Sequence, residues 1–215
     1  RFTMTFYIDP DTPDPSGEFA RLLKKCIFHY PASWSEIVFL CIGSDRMTGD
    51  CLGPYIGYQL KQLESADISV YGTIFHPVHA LNLEKTASGI RRRHPEALVI
   101  AIDAALGEKH QLGYITLADS PLHPGSGVHK ALPPVGHIHI TGIVNLSGAL
   151  EQLTLQTTRL SHVVHLANII TDGIQLLFTQ KITQKRDSTA DICPQYCPKV
   201  QACTACTDYL TKSLI

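Results

Sequence analysis

Apolar positions along the chain fall into two rhythms. Ile37-Val38-Phe39-Leu40-Cys41-Ile42 is a continuous apolar run that ends at Gly43, a pattern that suits a strand covered on both faces of a parallel sheet. Ala97 to Ile102 is a second such run, closed by Asp103. Between them, Ile68 to Phe75 predicts another strand. The second rhythm is helical. Phe19, Leu22, Leu23 and Cys26 share one face of a helix predicted over 17–28. Leu52, Ile56, Leu60 and Leu63 share one face of a helix that follows the polar segment 44–50. Pro54 fits that helix's first turn, where a missing N–H costs nothing. A further helix is predicted over 80–93. The alternation of strand and helix predicts an α/β domain with a parallel sheet and helices on both faces.

Beyond Asp103 the pattern is less regular. Residues 113–117 read as a short edge strand, and 137–144 alternate into a last strand. The segment 119–136 between them carries Pro121, Pro124, Gly125, Gly127, Pro133, Pro134 and Gly136, and a loop of that length inside a compact domain is usually functional. One long amphipathic helix is predicted over 147–179, with Leu150, Leu153, Leu160, Val164, Ala167, Ile170, Ile174 and Leu177 as its packing face. The character of the chain changes after Lys181, so the sequence divides into a domain over 1–182 and a cysteine-rich tail over 183–215.

Charge narrows the range of functions. The 18 Lys and Arg residues nearly balance the 19 Asp and Glu residues, which argues against a nucleic-acid-binding face. Arg91-Arg92-Arg93 falls at the end of a predicted helix, where cations favour the dipole. No apolar run is long enough for a membrane span, and the opening residues lack a secretion-signal layout. Cysteine is present in an odd number, seven, and Cys26, Cys41 and Cys51 are scattered in or beside apolar stretches. That usage suits reduced thiols, so the expectation is a cytoplasmic protein.

Two acids stand where open parallel sheets bind ligands, outside the carboxyl ends of strands. Asp103 closes one predicted strand, and Asp50 lies in the loop or first helical turn after another. Each has an ordinary explanation by itself, Asp50 as a helix cap and Asp103 as a turn former. With the first of the three strands in the middle of their order, its neighbours include the third, and the two acids can converge. Carboxylates forced close cannot easily both ionise, so such a pair can deprotonate water with one member and protonate the leaving amide nitrogen with the other. This dyad requires no cofactor.

Asp45 and Thr48 in the polar loop, the Gly125-Ser126-Gly127 backbone, and His139 in the last strand are candidates for holding a substrate. His76, His79, His123 and His129 lie in or beside loops within reach of a cleft. Residues 43–50 lack both phosphate-loop glycine patterns. Cys51 offers a rival chemistry, because a thiol at a helix N-terminus has a lowered pKa. In the tail, Cys193, Cys197, Cys203 and Cys206 fall within fourteen residues. They read either as a set for zinc or an iron–sulfur cluster, or as redox-exposed thiols of a disordered tail.

Several of these segments together resemble a known family. Cys41-Ile42-Gly43-Ser44-Asp45-Arg46 with Thr48-Gly49-Asp50-Cys51-Leu52-Gly53-Pro54 is similar to the YyaC sporulation proteins of spore-forming Firmicutes. So are Pro77-Val78-His79-Ala80 with Asn82-Leu83-Glu84, Ile102-Asp103-Ala104, Pro124-Gly125-Ser126-Gly127-Val128, and residues 132–136 with 139–145. That family is similar in turn to the germination protease of spores and, more distantly, to hydrogenase maturation endopeptidases. The resemblance implies a three-layer α/β/α sandwich of the phosphorylase/hydrolase-like kind. It also implies an aspartic-type peptidase with Asp50 and Asp103 as its acids, acting on a peptide or protein substrate such as the spore proteins of the sporulating cell or forespore. In the hydrogenase-maturation relatives, acids and a histidine contact nickel. Two departures stand out. Cys51 replaces the relatives' alanine, and the chain is shorter than the germination protease. The second favours an alternative, a non-catalytic binder of peptide or metal on the same fold. An oligomer is compatible with the sequence, which contains no internal repeat.

Overall fold

The computed structural model describes residues 3–124, 132–148 and 150–179. The tail from residue 183 lies outside them. Asp14 opens the first helix, α1 (Pro15–His29), by accepting the Gly17 N–H at 3.0 Å, and Pro15 follows at a position that needs no donor. Phe19, Leu22, Leu23, Cys26 and Ile27 are its buried stripe, as the helical spacing predicted. Strand β2 (Glu36–Cys41) then leads through a 3-10 turn, Gly49–Cys51, into α2 (Leu52–Leu60). Next come β3 (Ile68–Tyr71), α3 (Leu83–Arg93) and β4 (Ala97–Gly107). The arginine run occupies the last turn of α3.

The described strands form one six-stranded sheet in the order β1-β5-β6-β4-β2-β3, where β1 is Thr5–Ile8, β5 Ile115–Ala118 and β6 Ile138–Leu146. The four strands β6, β4, β2 and β3 are parallel, and β5 and β1 add antiparallel pairs. Side chains alternate across the sheet. Phe39, Leu98, Ile100, Ile102 and Ile140 face a core shared with α1, α2 and α5 (Leu160–Thr179). Val38, Leu40, Ile42, Val99 and Ala101 face Leu83, Ala87 and Ile90 of α3. The result is the expected mostly parallel α/β/α sandwich, with β2 at the centre of the first three parallel strands.

Four expectations are corrected. First, β4 does not stop at Asp103 but runs to Gly107, because β6 keeps pairing with it after β2 has ended at Cys41. Second, β5 is an interior strand, covered by β1, which the apolar pattern did not reveal. Third, β3 ends at Tyr71 because Gly72 turns away with φ +85°, its Cα packed against the Cys41 carbonyl. Fourth, the long final helix is two helices, α4 (Glu151–Thr157) and α5. Thr158 between them is extended, and its hydroxyl and the Thr154 carbonyl are held by the Asn145 side-chain amide at 3.1 Å each. Leu150, Leu153 and Leu160 consequently remain exposed, and Val163, Leu166, Ala167, Ile170, Ile174 and Leu177 do the packing.

Candidate active site

The chain reverses its winding direction at the border between β2 and β4. The connection through α2 covers one face of the sheet and the connection through α3 covers the other. Such a switch point leaves a crevice at the carboxyl ends of the strands. Asp103 is the first residue of β4 beyond its pairing with β2, so the strand that would have flanked it has already turned away. It continues the Val99–Ala101 face, and its carboxylate accepts the Ala104 N–H at 2.8 Å.

Asp50 is brought to the same crevice by tight backbone packing. Gly43 has φ +137° and donates its N–H to the Val78 carbonyl at 2.8 Å. A Cβ on Gly43 would lie 2.0 Å from the Asp50 carbonyl oxygen, which accepts the Ser44 N–H at 3.1 Å. At Gly53 a Cβ would likewise lie 2.0 Å from the Ile42 carbonyl oxygen. The first turn of α2 therefore sits directly on the end of β2, and glycine is needed wherever the two backbones meet.

Asp50 and Asp103 line one cleft of about 470 Å³, together with His79 from the loop before α3 and Glu151, Gln152 and Leu155 from α4. Burial raises the pKa of Asp50, and the Ser44 N–H and, in its protonated form, His79 draw it part of the way back. Asp103 is pushed well above the usual carboxylate range, first by burial and then by repulsion from Asp50, against the smaller opposing effect of the Ala104 N–H. The repulsion falls on Asp103 because Asp50 ionises first. Of the two acids, Asp103 is therefore the one that holds its proton to higher pH.

A smaller space of about 310 Å³ opens on the other side of Asp103, lined by Ser120, His123, His139 and Thr141 among others. His139 contacts the Ser120 carbonyl through Nδ1 at 2.8 Å. Thr141, the register partner of Asp103, is hydrogen-bonded to Thr116. Of the other predicted site residues, Asp45 is exposed and neither it nor Thr48 lines either space. Gly125, Ser126 and Gly127 lie outside the described residues, although Pro124 and Leu132, the described residues on either side, line the larger cleft. Cys193, Cys197, Cys203 and Cys206 also lie outside them. Among the described residues no group of three His, Cys, Asp or Glu side chains is arranged to hold a metal ion.

The Cys51 expectation is corrected. Burial and the neighbouring Asp45 and Asp50 raise its thiol pKa, opposite to the lowering expected of a thiol at a helix N-terminus. Sequence reasoning did not single out His79 or the α4 residues. His79 was one of several loop histidines of equal standing, and α4 was hidden inside a longer predicted helix.

Fold and site together define a doubly wound α/β protein with a paired-carboxylate cleft at its switch point. The chain belongs to the family described as Protein of unknown function (DUF1256), which it matches over residues 9–173. It is 45% identical over 155 residues to YyaC of Bacillus subtilis (strain 168), described as an uncharacterized protein, covering 72% of this chain and 76% of that one. The resemblance carried by the motifs around Asp50 and Asp103 is therefore a family relationship. Among solved structures, the NiFe hydrogenase maturation protease HycI from Thermococcus kodakarensis KOD1 is similar at 18% identity and a TM-score of 0.44, covering 72% of this chain and 99% of that one. No helix among the described residues is long and apolar enough to cross a membrane.

Proposed function

We propose that this protein is a peptidase-like hydrolase of the sporulating cell in which Asp50 and Asp103 activate water against a peptide bond. The observation that carries the reading is electrostatic. Two carboxyl groups share one cleft, both have raised pKa values, and the more strongly raised is the one that feels the other's charge. Neither capping for Asp50 nor turn formation for Asp103 explains the acids. Asp50 makes no side-chain cap to the turn or helix that follows, and Asp103 lies inside a strand. Perturbed acids in a cleft mark functional sites.

The chemistry needs the pair in unlike states. Ionised Asp50 takes a proton from water, and the hydroxide oxygen bonds to the peptide carbonyl carbon. Protonated Asp103 then gives its proton to the amide nitrogen as the carbon–nitrogen bond breaks. The products are a carboxylic acid and an amine, and proton exchange with water resets the pair. Apolar walls from Leu83, Leu106, Leu132 and Leu155 suit a peptide side chain beside the acids.

The test is incubation with small acid-soluble spore proteins, followed by mass spectrometry of the products. Wild-type protein is expected to create new peptide termini, and Asp50→Asn and Asp103→Asn none. Intact substrates after prolonged incubation with folded wild-type protein would count against hydrolysis and favour simple binding in the cleft.

A further inference from the structure

The segment Pro77–Asn82 is held in place more firmly than a connection requires. Val78 bridges Ile42 at the end of β2 and accepts the Gly43 N–H. Asn82 closes the segment on itself. Its Oδ1 accepts the His79 N–H at 2.8 Å, and its Nδ2 donates to the Pro77 carbonyl at 3.0 Å. The His79 carbonyl accepts the N–H groups of Asn82 and Leu83, at 3.0 and 2.9 Å, and so starts α3. The backbone of His79 is thereby fixed from both sides at the wall of the cleft.

Its ring is fixed as well. Nδ1 accepts the Leu81 N–H at 3.3 Å, so the neutral ring carries its proton on Nε2. Among the described residues Nε2 has no hydrogen-bond partner, and it is not sealed off, since the one buried side-chain atom without a partner among them is His162 Nε2. His79 lines the cleft that holds the two acids, and its neutral ring carries one N–H donor of set tautomer.

We propose that His79, as the neutral Nε2–H tautomer, is a third catalytic group of this site, donating a hydrogen bond to the scissile carbonyl oxygen as negative charge develops on it, and that Asn82 is its positioning residue. The inference rests on the hydrolase reading. The dyad supplies an acceptor for water's proton and a donor for the leaving nitrogen. It leaves the carbonyl oxygen without a partner at the moment that oxygen becomes an oxyanion, where a preorganised donor is worth most. His79 keeps its proton throughout, so the balance of the reaction is unchanged.

Two measurements test it. In the first, a spore-protein peptide that wild-type protein cleaves is assayed with His79→Ala, His79→Gln and Asn82→Ala. His79→Ala is expected to lower kcat by about 10²–10³-fold with KM nearly unchanged, as for loss of one oxyanion donor. His79→Gln recovers much of that loss, because its amide N–H can stand in for Nε2–H. Asn82→Ala also lowers kcat rather than raising KM. In the second, the ring nitrogens of His79 in the wild-type protein are observed by ¹⁵N NMR at neutral pH, and Nε2 is expected to carry the proton with Nδ1 bare. An active wild-type enzyme whose His79 is Nδ1-protonated or doubly protonated overturns the role of His79 and leaves the dyad standing, as does a fully active His79→Ala variant. Absence of cleavage by wild-type protein refutes the hydrolase reading itself, and the inference falls with it.

Discussion

Gly43→Ala tests whether the Asp50 turn depends on the backbone contact described above. Alanine at φ +137° is forced into a conformation that L side chains rarely adopt, and its Cβ is aimed 2.0 Å from the Asp50 carbonyl oxygen. Strain of this kind costs about 1–3 kcal/mol. Relieving the overlap moves that carbonyl away from the Ser44 N–H, and a backbone hydrogen bond adds about 0.5–1.5 kcal/mol. The total is about 1.5–4.5 kcal/mol, or a fall in Tm of about 3–18 °C for a domain of this size. Gly148→Ala is the control, since a Cβ there meets nothing within 4 Å. Its expected effect is within about 0.5 kcal/mol of zero. Thermal and denaturant unfolding at neutral pH read both variants. A Gly43→Ala protein that melts with the Gly148→Ala control would show that the β2–α2 junction relaxes freely, and the argument for a rigidly placed Asp50 would fail.

Asp103→Asn should stabilise the protein near pH 7 while removing activity, because a carboxyl with a raised folded pKa opposes folding once the unfolded group ionises. The gain should shrink as pH falls below the unfolded value of about 3.9, where both states are protonated, and a pH-independent difference in Tm would contradict this. The pH profile of kcat/KM should be bell-shaped, with an acid limb for ionising Asp50 and an alkaline limb for deprotonating Asp103, and with the whole bell displaced above the range of ordinary carboxylates. Cys51→Ser should retain activity, since burial and two neighbouring acids hold the thiol protonated; an inactive, folded Cys51→Ser protein would restore the thiol as nucleophile. Leu52, fully buried behind the Asp50 turn and packed on Gly142, should cost about 2–5 kcal/mol when replaced by alanine, read by denaturant unfolding.

The local periodicities of the chain determined its class. Uninterrupted apolar runs at 37–42 and 97–102 matched strands buried on both faces, and the stripe of α1 was legible in Phe19, Leu22, Leu23 and Cys26. The position of Asp50 after one strand and of Asp103 on another was equally plain, because order along the chain is all that such a statement needs. Tertiary structure decided what depends on residues distant in sequence. Pairing with β6 carried β4 past Asp103, and capture of the edge by β1 put β5 inside the sheet. An Asn145 contact marked the break at Thr158, which apolar spacing continues through without interruption. The chemistry of the acids belongs to the same group. Asp50 and Asp103 are identical side chains, and burial, mutual repulsion, the nearby Ser44 and Ala104 N–H groups and a protonated His79 separate their affinities for a proton. His79 stands apart from the other loop histidines for the same reason. A tautomer is set by which nitrogen meets a donor, and that is a property of the folded backbone.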